Sequence, residues 1–249
     1  SMDGRVTCCG RRSNAGRRVS CSWINDGKFN RMVLDLLRMG RLVGIPKKDG
    51  GVRPIVVSSF FTKLLGSALL VRSNVKCSTH QFAIGVKDGA SRIVHLTRQA
   101  FEEGKAVVRM DLSNAFNVAQ RGRIREILHD HDTDVLRYFM TMYEPASDLA
   151  VFGPKGDVAF VVSEEGVRQG DAFSAFFFCL LMDRICLSVQ DKHPGAQLMS
   201  FMDDLTITVQ HSEVNEVVAS ALQVIEDSGF RVNVGKSAVI CAAERFDAR

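Results

Sequence analysis

Two adjacent carboxylates stand in the segment Phe201-Met202-Asp203-Asp204-Leu205. After them, Leu205, Ile207 and Val209 alternate with Thr206 and Thr208, the period of a half-buried strand. The pair is therefore predicted to occupy a tight turn between strands at 198–202 and 205–209. Like charges so close repel, and the arrangement costs stability unless cations neutralise it. A rigid turn presenting several oxygens suits magnesium. A third carboxylate, Asp111, closes the apolar run 106–110, and Phe116 follows five residues later. A strand that ends in Asp places the carboxylate where a sheet commonly meets a ligand. Each feature alone also has a plain structural reading, since Asp favours turns and caps.

Three more segments carry chemistry-bearing residues. In 165–174, two glycines allow close backbone approach to a ligand, Gln169 is a polar reader beside Gly170, and Asp171 is expected to cap the helix that follows. In 46–54, Lys47, Lys48 and Arg53 sit on a basic hairpin that could clamp phosphates. In 229–237, Lys236 lies beyond an apolar strand. Taken singly, these read equally well as a helix start, a solvated charged hairpin and a surface lysine.

The elements that would position these residues follow from the pattern. A short helix is predicted over 32–39, ending at Gly40. Two β-like runs, 42–45 and 52–57, flank Asp49-Gly50, a strong hairpin signal. Helices are expected at 60–71, 90–103, 124–128 and 135–142, the last capped by Asp132 or Thr133. A second hairpin is expected from strands 149–152 and 158–162. A long apolar helix follows from 172, then a helix capped by Ser212 that ends near Gly229, and short strands at 230–234 and 238–241. Strands and helices interleave with hairpins, so the class is α+β with a largely antiparallel sheet.

Composition narrows the function further. The 249 residues are 46% hydrophobic and 24% charged, with 5 prolines, which excludes a wholly disordered or collagen-like chain. The richest apolar stretch, 172–182, stops after eleven residues, far short of the about 20 a membrane span needs. Residues 1–53 hold 12 Lys/Arg against 4 Asp/Glu, a net of +8, whereas the remainder holds 20 against 24, a net of −4. A basic front on a faintly acidic body fits a polyanionic partner. The seven cysteines include no CxxC pair, and Cys77 with His80 lacks a second pair to complete a zinc site. That usage fits a reducing compartment, nuclear or cytoplasmic.

In order and combination the segments resemble the reverse transcriptase family, and within it the non-LTR (LINE-type) retrotransposon branch. Residues 45–55 (Ile-Pro-Lys-Lys-Asp-Gly-Gly-Val-Arg-Pro-Ile) resemble the fingers motif, 111–116 motif A, and Gly-Val-Arg-Gln-Gly-Asp at 166–171 motif B. Phe-Met-Asp-Asp at 201–204 resembles motif C, and Gly-Phe-x-x-Asn-x-x-Lys-Ser at 229–237 motif D. There are departures: motif B continues Ala-Phe-Ser-Ala where the common form has Pro-Leu-Ser-Pro, and motif C has Phe201 and Met202 where Tyr and Ala are common.

The resemblance implies an RNA-directed DNA polymerase with a right-hand fold. It implies a basic, loosely ordered arm at 1–29, fingers with part of the palm at 30–105, and palm at 106–249 with a fingers insertion around 120–165. No thumb and no endonuclease are read, so the chain is expected to be part of a larger polyprotein and weakly active or inactive alone. Asp111, Asp203 and Asp204 would be the metal and catalytic carboxylates for two Mg2+ ions, with Mn2+ as a substitute. Lys47, Lys48 and Arg53 would hold the triphosphate, and Gln169 and Gly170 would frame the incoming nucleotide. Phe116 would exclude a 2′-hydroxyl, Phe201 and Met202 would floor the primer end, and Lys236 would protonate the leaving pyrophosphate. The implied partners are an RNA template, a DNA primer and dNTPs, with no membrane. The rivals are an RNA-dependent RNA polymerase, against which the aromatic Phe116 speaks, and a domesticated RNA-binding scaffold, against which the surviving carboxylates speak.

Overall fold

The computed structural model describes residues 29–241 apart from 49, 74, 131 and 172, so the basic arm before residue 29 lies outside the described residues. The elements run α1 (Arg31–Arg38), β1 (Gly40–Pro46), β2 (Val52–Ser58), α2 (Phe60–Arg72), α3 (Gly89–Glu102), β3 (Ala106–Asp111), α4 (Ala115–Val118), α5 (Arg121–His129) and α6 (Thr133–Met142). Then come β4 (Ser147–Phe152), β5 (Val158–Ser163), α7 (Ser174–Lys192), β6 (Gln197–Phe201), β7 (Asp204–Val209), α8 (Val214–Asp227) and β8 (Ala238–Ile240). The predicted α+β class holds. Among the described residues no helix is long and apolar enough to cross a membrane.

The strands form two four-stranded sheets, ordered β2-β1-β4-β5 and β6-β7-β3-β8. All pairings are antiparallel except β1 with β4, which touch in parallel through Gly40↔Leu149 and Arg41↔Ala150. In the second sheet one face is apolar: Met110 opposes Leu205, Val108 opposes Ile207 and Ala106 opposes Val209, all buried. That face joins a single core with the buried side of α7, including Phe177, Phe178, Leu181 and Ile185, and with Val217, Ala221 and Ile225 of α8. Burying such surface at about 25 cal/mol per Å² is what fixes the sheet on its helices. Helix α6 starts as expected, because Asp132 accepts hydrogen bonds from the Asp134 and Val135 N–H groups.

Four local expectations are corrected. Asp171 does not cap α7: the helix begins at Ser174, and the Asp171 carboxylate is buried, accepting from the Tyr143 hydroxyl. Ser212 lies inside the 3-10 turn His211–Glu213 and makes no capping bond to α8. The stretch 230–234 makes only a bridge, Leu112↔Val232, before turning into the 3-10 segment Val234–Lys236. The hairpin between β6 and β7 turns on Met202 and Asp203, since Phe201 pairs with Asp204. The sequence pattern placed that turn one residue later.

Candidate active site

Asp111 arrives at its position because β3 is an interior strand whose last residue runs out of the sheet beside β7, with Asp204 as its cross-strand partner. Its backbone is held from the other side by the segment before β8. The Asp111 N–H donates to Ser237 Oγ at 3.1 Å, and the Asp111 carbonyl accepts from the Asn233 N–H at 2.7 Å. Asp203 is presented by the two-residue turn, in which Met202 takes a left-handed φ of 55°. A non-glycine residue there costs on the order of 1–2 kcal/mol, so the surrounding packing must hold the turn. Met202 Sδ accepts from Cys179 Sγ of α7 at 3.7 Å.

Burial raises the Asp203 carboxyl above the ordinary carboxylate range. Its own backbone N–H pulls it back, Asp204 and Asp111 push it up further, and Arg53 opposes them. A half-buried carboxyl among like charges is a place where a bound cation relieves both strains.

One cleft of about 720 Å³ is lined by Asp111 and Asp203 together with Lys47, Arg53, Phe116, Gln169, Gly170, Met202 and Lys236. The structure thus brings nine of the twelve sequence-predicted residues to one place. Lys48 lies outside it, in an adjoining basic mouth with Lys47, Arg53 and Lys236. Asp204 and Phe201 line a different recess, between the sheet and α3, alongside Arg109 and Thr206. Asp204 is thus the cross-strand neighbour of Asp111 and acts on Asp203 by its charge, but it lines this recess and not the cleft. Among the described residues no three Asp, Glu, His or Cys side chains are grouped so as to hold a metal ion by themselves. Two oxygen donors facing a phosphate-sized space still fit magnesium, which keeps water and substrate phosphates among its ligands.

The two motif B glycines are where the cleft walls meet. Gly170 has φ +102°, and a Cβ there would lie 2.6 Å from the Val56 carbonyl oxygen. That contact lets Gln169 accept a hydrogen bond from the Val56 N–H at 2.7 Å, tying the loop to β2. Gly166 has φ +70°, and its Cβ would lie 2.4 Å from the Asn117 carbonyl oxygen. The next residue, Val167, donates its N–H to the Phe116 carbonyl at 2.8 Å. Phe116 itself stacks on Phe178 of α7 with centroids 4.4 Å apart, and Phe178 meets Phe230 edge-on at 5.9 Å. The ring that lines the cleft is thereby backed by the core.

Residues that the sequence reading missed lie behind this loop. Arg168 is 5% exposed and donates to the Arg38 and Met142 carbonyls and to Ser147 Oγ, so it is a brace and not a ligand-facing cation. Tyr143 donates to Asp171 at 2.5 Å, and burial followed by the neighbouring Asp171 raises its hydroxyl well above the ordinary value. Arg121 is buried as well. In sequence it looks like Arg123 and Arg125 beside it, both exposed, and no local signal distinguishes it.

Residues 45–247 match the reverse transcriptase (RNA-dependent DNA polymerase) family. The chain belongs to the reverse transcriptase family. It is 25% identical over 219 residues to the retrotransposable element SLACS 132 kDa protein of Trypanosoma brucei gambiense, a match that takes in 82% of this chain and 18% of that protein. The chain thus spans under a fifth of that relative's length. The match agrees with the resemblance to the non-LTR retrotransposon branch. Among solved structures, a telomerase from Candida tropicalis in complex with the TWJ fragment of telomeric RNA superposes with a TM-score of 0.63 at 12% identity, covering 92% of this chain and 45% of that one. The corresponding Candida albicans telomerase complex gives 0.62 at 13% identity, with 92% and 47% covered. At such identities the likeness establishes the fold alone, that of a right-hand polymerase. Members of the reverse transcriptase family use divalent metal ions.

Proposed function

We propose that this chain is the nucleotide-adding part of a non-LTR retrotransposon RNA-directed DNA polymerase, transferring a deoxynucleotide from a dNTP to a primer 3′-hydroxyl opposite an RNA template. One observation carries this reading: a single cleft gathers Asp111 and Asp203 with Lys47, Arg53, Lys236 and the Phe116 ring. Carboxylates that can hold divalent ions, in one cleft with cations that can hold phosphates, are what nucleotidyl transfer from a triphosphate requires.

In this reading Asp111 and Asp203 hold two Mg2+ ions, for which Mn2+ can substitute. Ions held there would supply positive charge for the α-phosphate and the primer hydroxyl. Asp204, on the neighbouring recess, acts on the pair through its charge. Lys47 and Arg53 hold the outer phosphates, with Lys48 at the mouth through which they enter. Lys236 delivers a proton to the leaving pyrophosphate. Gln169 and Gly170 frame the base and sugar, and Phe116, locked against Phe178, leaves no room for a 2′-hydroxyl. Met202 supports the primer end from within the cleft, and Phe201 does so from the other side of the turn.

The domain division follows the same reading. The sheet built from 40–58 and 147–163 belongs to the fingers, which explains why the insertion around 120–165 pairs with β1. The sheet built from β6, β7, β3 and β8 belongs to the palm. A thumb and an endonuclease would come from further parts of the same polyprotein, acting in nucleus and cytoplasm.

Binding of a fluorescent dNTP in the presence of Mg2+ tests this assignment. Lys47→Ala and Arg53→Ala are each expected to weaken binding about tenfold, the value of one charge-assisted contact. Phe116→Ala is expected to raise affinity for the matching rNTP while leaving dNTP affinity nearly unchanged. Unchanged discrimination in Phe116→Ala would remove the residue from sugar selection, and binding indifferent to all three changes would remove the nucleotide from this cleft.

A further inference from the structure

We infer that Arg121 is a positioning residue for nucleotide selection, acting through the loop 163–170 on Phe116 and Gln169; the inference rests on the cleft being the nucleotide site. Arg121 opens α5 and is 7% exposed. All three of its side-chain nitrogens are engaged. Nε donates to the Gly166 carbonyl at 3.0 Å, and Nη1 to the carbonyls of Tyr143 at 2.6 Å and Ser163 at 3.3 Å. Nη2 donates to Ser163 Oγ at 2.9 Å and to the Glu165 carbonyl at 3.0 Å. One fork therefore joins the end of β5, the start of the loop and the residue that follows α6.

From that anchor the loop reaches both walls of the cleft. One residue beyond Gly166, the Val167 N–H holds the Phe116 carbonyl. Two residues further, the Gln169 carbonyl receives the Val56 N–H. Arg121 does not line the cleft, so it acts on a nucleotide only through these residues. Its guanidinium sits 5.8 Å from the centre of the Tyr143 ring, with that of Arg168 5.1 Å from the same ring. Burying two cations side by side is costly, and neutral donors would stabilise the carbonyls at less expense. What the second guanidinium adds is a rigid planar fork that fixes several acceptors in one geometry.

The test uses the chain carrying Arg121→Lys, which keeps the charge and loses the fork. Thermal unfolding, amide exchange at 163–170 and 116–117, and the ratio of dNTP to rNTP kcat/KM in single-nucleotide addition are measured. Exchange in both segments is expected to rise about tenfold while α7 and α8 keep theirs. The selectivity ratio is expected to fall about tenfold, in line with the cost of small misplacements in a positioned site. A smaller folded fraction cannot mimic that fall, because it scales both substrates alike. A folded Arg121→Lys chain with wild-type loop exchange overturns the inference, as does raised exchange with an unchanged ratio. Should Arg121→Lys fail to fold, Ser163→Ala removes a single acceptor and must still raise loop exchange; unchanged exchange there overturns it too. Where the wild-type chain adds neither nucleotide, the same ratio is read from dNTP and rNTP binding with Mg2+; a chain that binds neither refutes the reading of the cleft and the selectivity claim with it, while the exchange measurement separately decides whether Arg121 holds the loop.

Discussion

Replacing Gly166 by alanine should be among the most damaging single changes in this chain, and its cost can be worked from the geometry. The new Cβ would stand 2.4 Å from the Asn117 carbonyl oxygen and 2.7 Å from that of Phe116. To reach even about 3 Å the loop must retreat by roughly 0.6 Å, which stretches the 2.8 Å bond from the Val167 N–H to the Phe116 carbonyl to the edge of hydrogen-bonding range. The left-handed backbone adds about 1–2 kcal/mol for a residue with a side chain. The weakened hydrogen bond adds about 1 kcal/mol, and the forced displacement about 1–3 kcal/mol. A total of about 4 kcal/mol corresponds to a Tm lowered by roughly 8–16 °C in a domain of this size. Gly156 supplies the control: its φ is +83°, but a Cβ there meets nothing within 4 Å. Gly156→Ala should therefore lose only the conformational part, about 2–8 °C. Parallel melts of the two variants followed by circular dichroism make the comparison. Equal losses would refute the close approach of the loop to the Phe116–Asn117 backbone.

Other outcomes follow from the same structure. In EDTA at pH 7, Asp203→Asn should raise Tm, because burial followed by Asp204 and Asp111 raises this carboxyl; a raised acid contributes stability below its ordinary pKa and loses it as pH rises through the raised one, so the advantage of Asn should shrink on acidification, and an advantage that grew instead would reverse the sign. Added Mg2+ or Mn2+ with dNTP should then stabilise the wild type and not Asp203→Asn. Cys77, whose thiol is pushed up to about 12 by burial and Asp183, should be alkylated at pH 9 on the order of 10²–10³ times more slowly than a free thiol, as read by peptide mapping; reaction at the free-thiol rate would show that the site is open. Strand β5 is an edge with Phe160, Val161 and Val162 exposed and no charge between Val158 and Ser163, so Val161→Lys should raise the monomer fraction in sedimentation without lowering Tm.

Local signals carried far in this sequence. Asp-Gly between apolar runs marked the β1–β2 hairpin, alternation from Leu205 to Val209 marked β7, and the run into Asp111 marked β3, because each depends on neighbours in the chain. What was not legible depends on register or on distant partners. The faces of β7 follow the alternation, but the strand starts one residue early, so Asp204 pairs within the sheet and lines the neighbouring recess while Asp203 enters the cleft from the turn. Asp171 stands where a cap belongs, yet its carboxylate is taken by the Tyr143 hydroxyl from 28 residues away. Arg121 is spelled like its exposed neighbours, and only the fold turns it inward. The pairing of β1 with β4 crosses more than a hundred residues on two registered pairs, too few to leave a pattern.

Single-nucleotide addition to a labelled DNA primer annealed to an RNA template tests the role of the cleft most directly, because it asks for one bond and no processivity. With Mg2+ and the complementary dNTP the chain should add one nucleotide, slowly, with the rNTP used far less. Asp111→Asn and Asp203→Asn should add none. Addition by Asp203→Asn at the wild-type rate, or a preference for rNTPs, would contradict the assignment of this cleft to RNA-directed DNA synthesis.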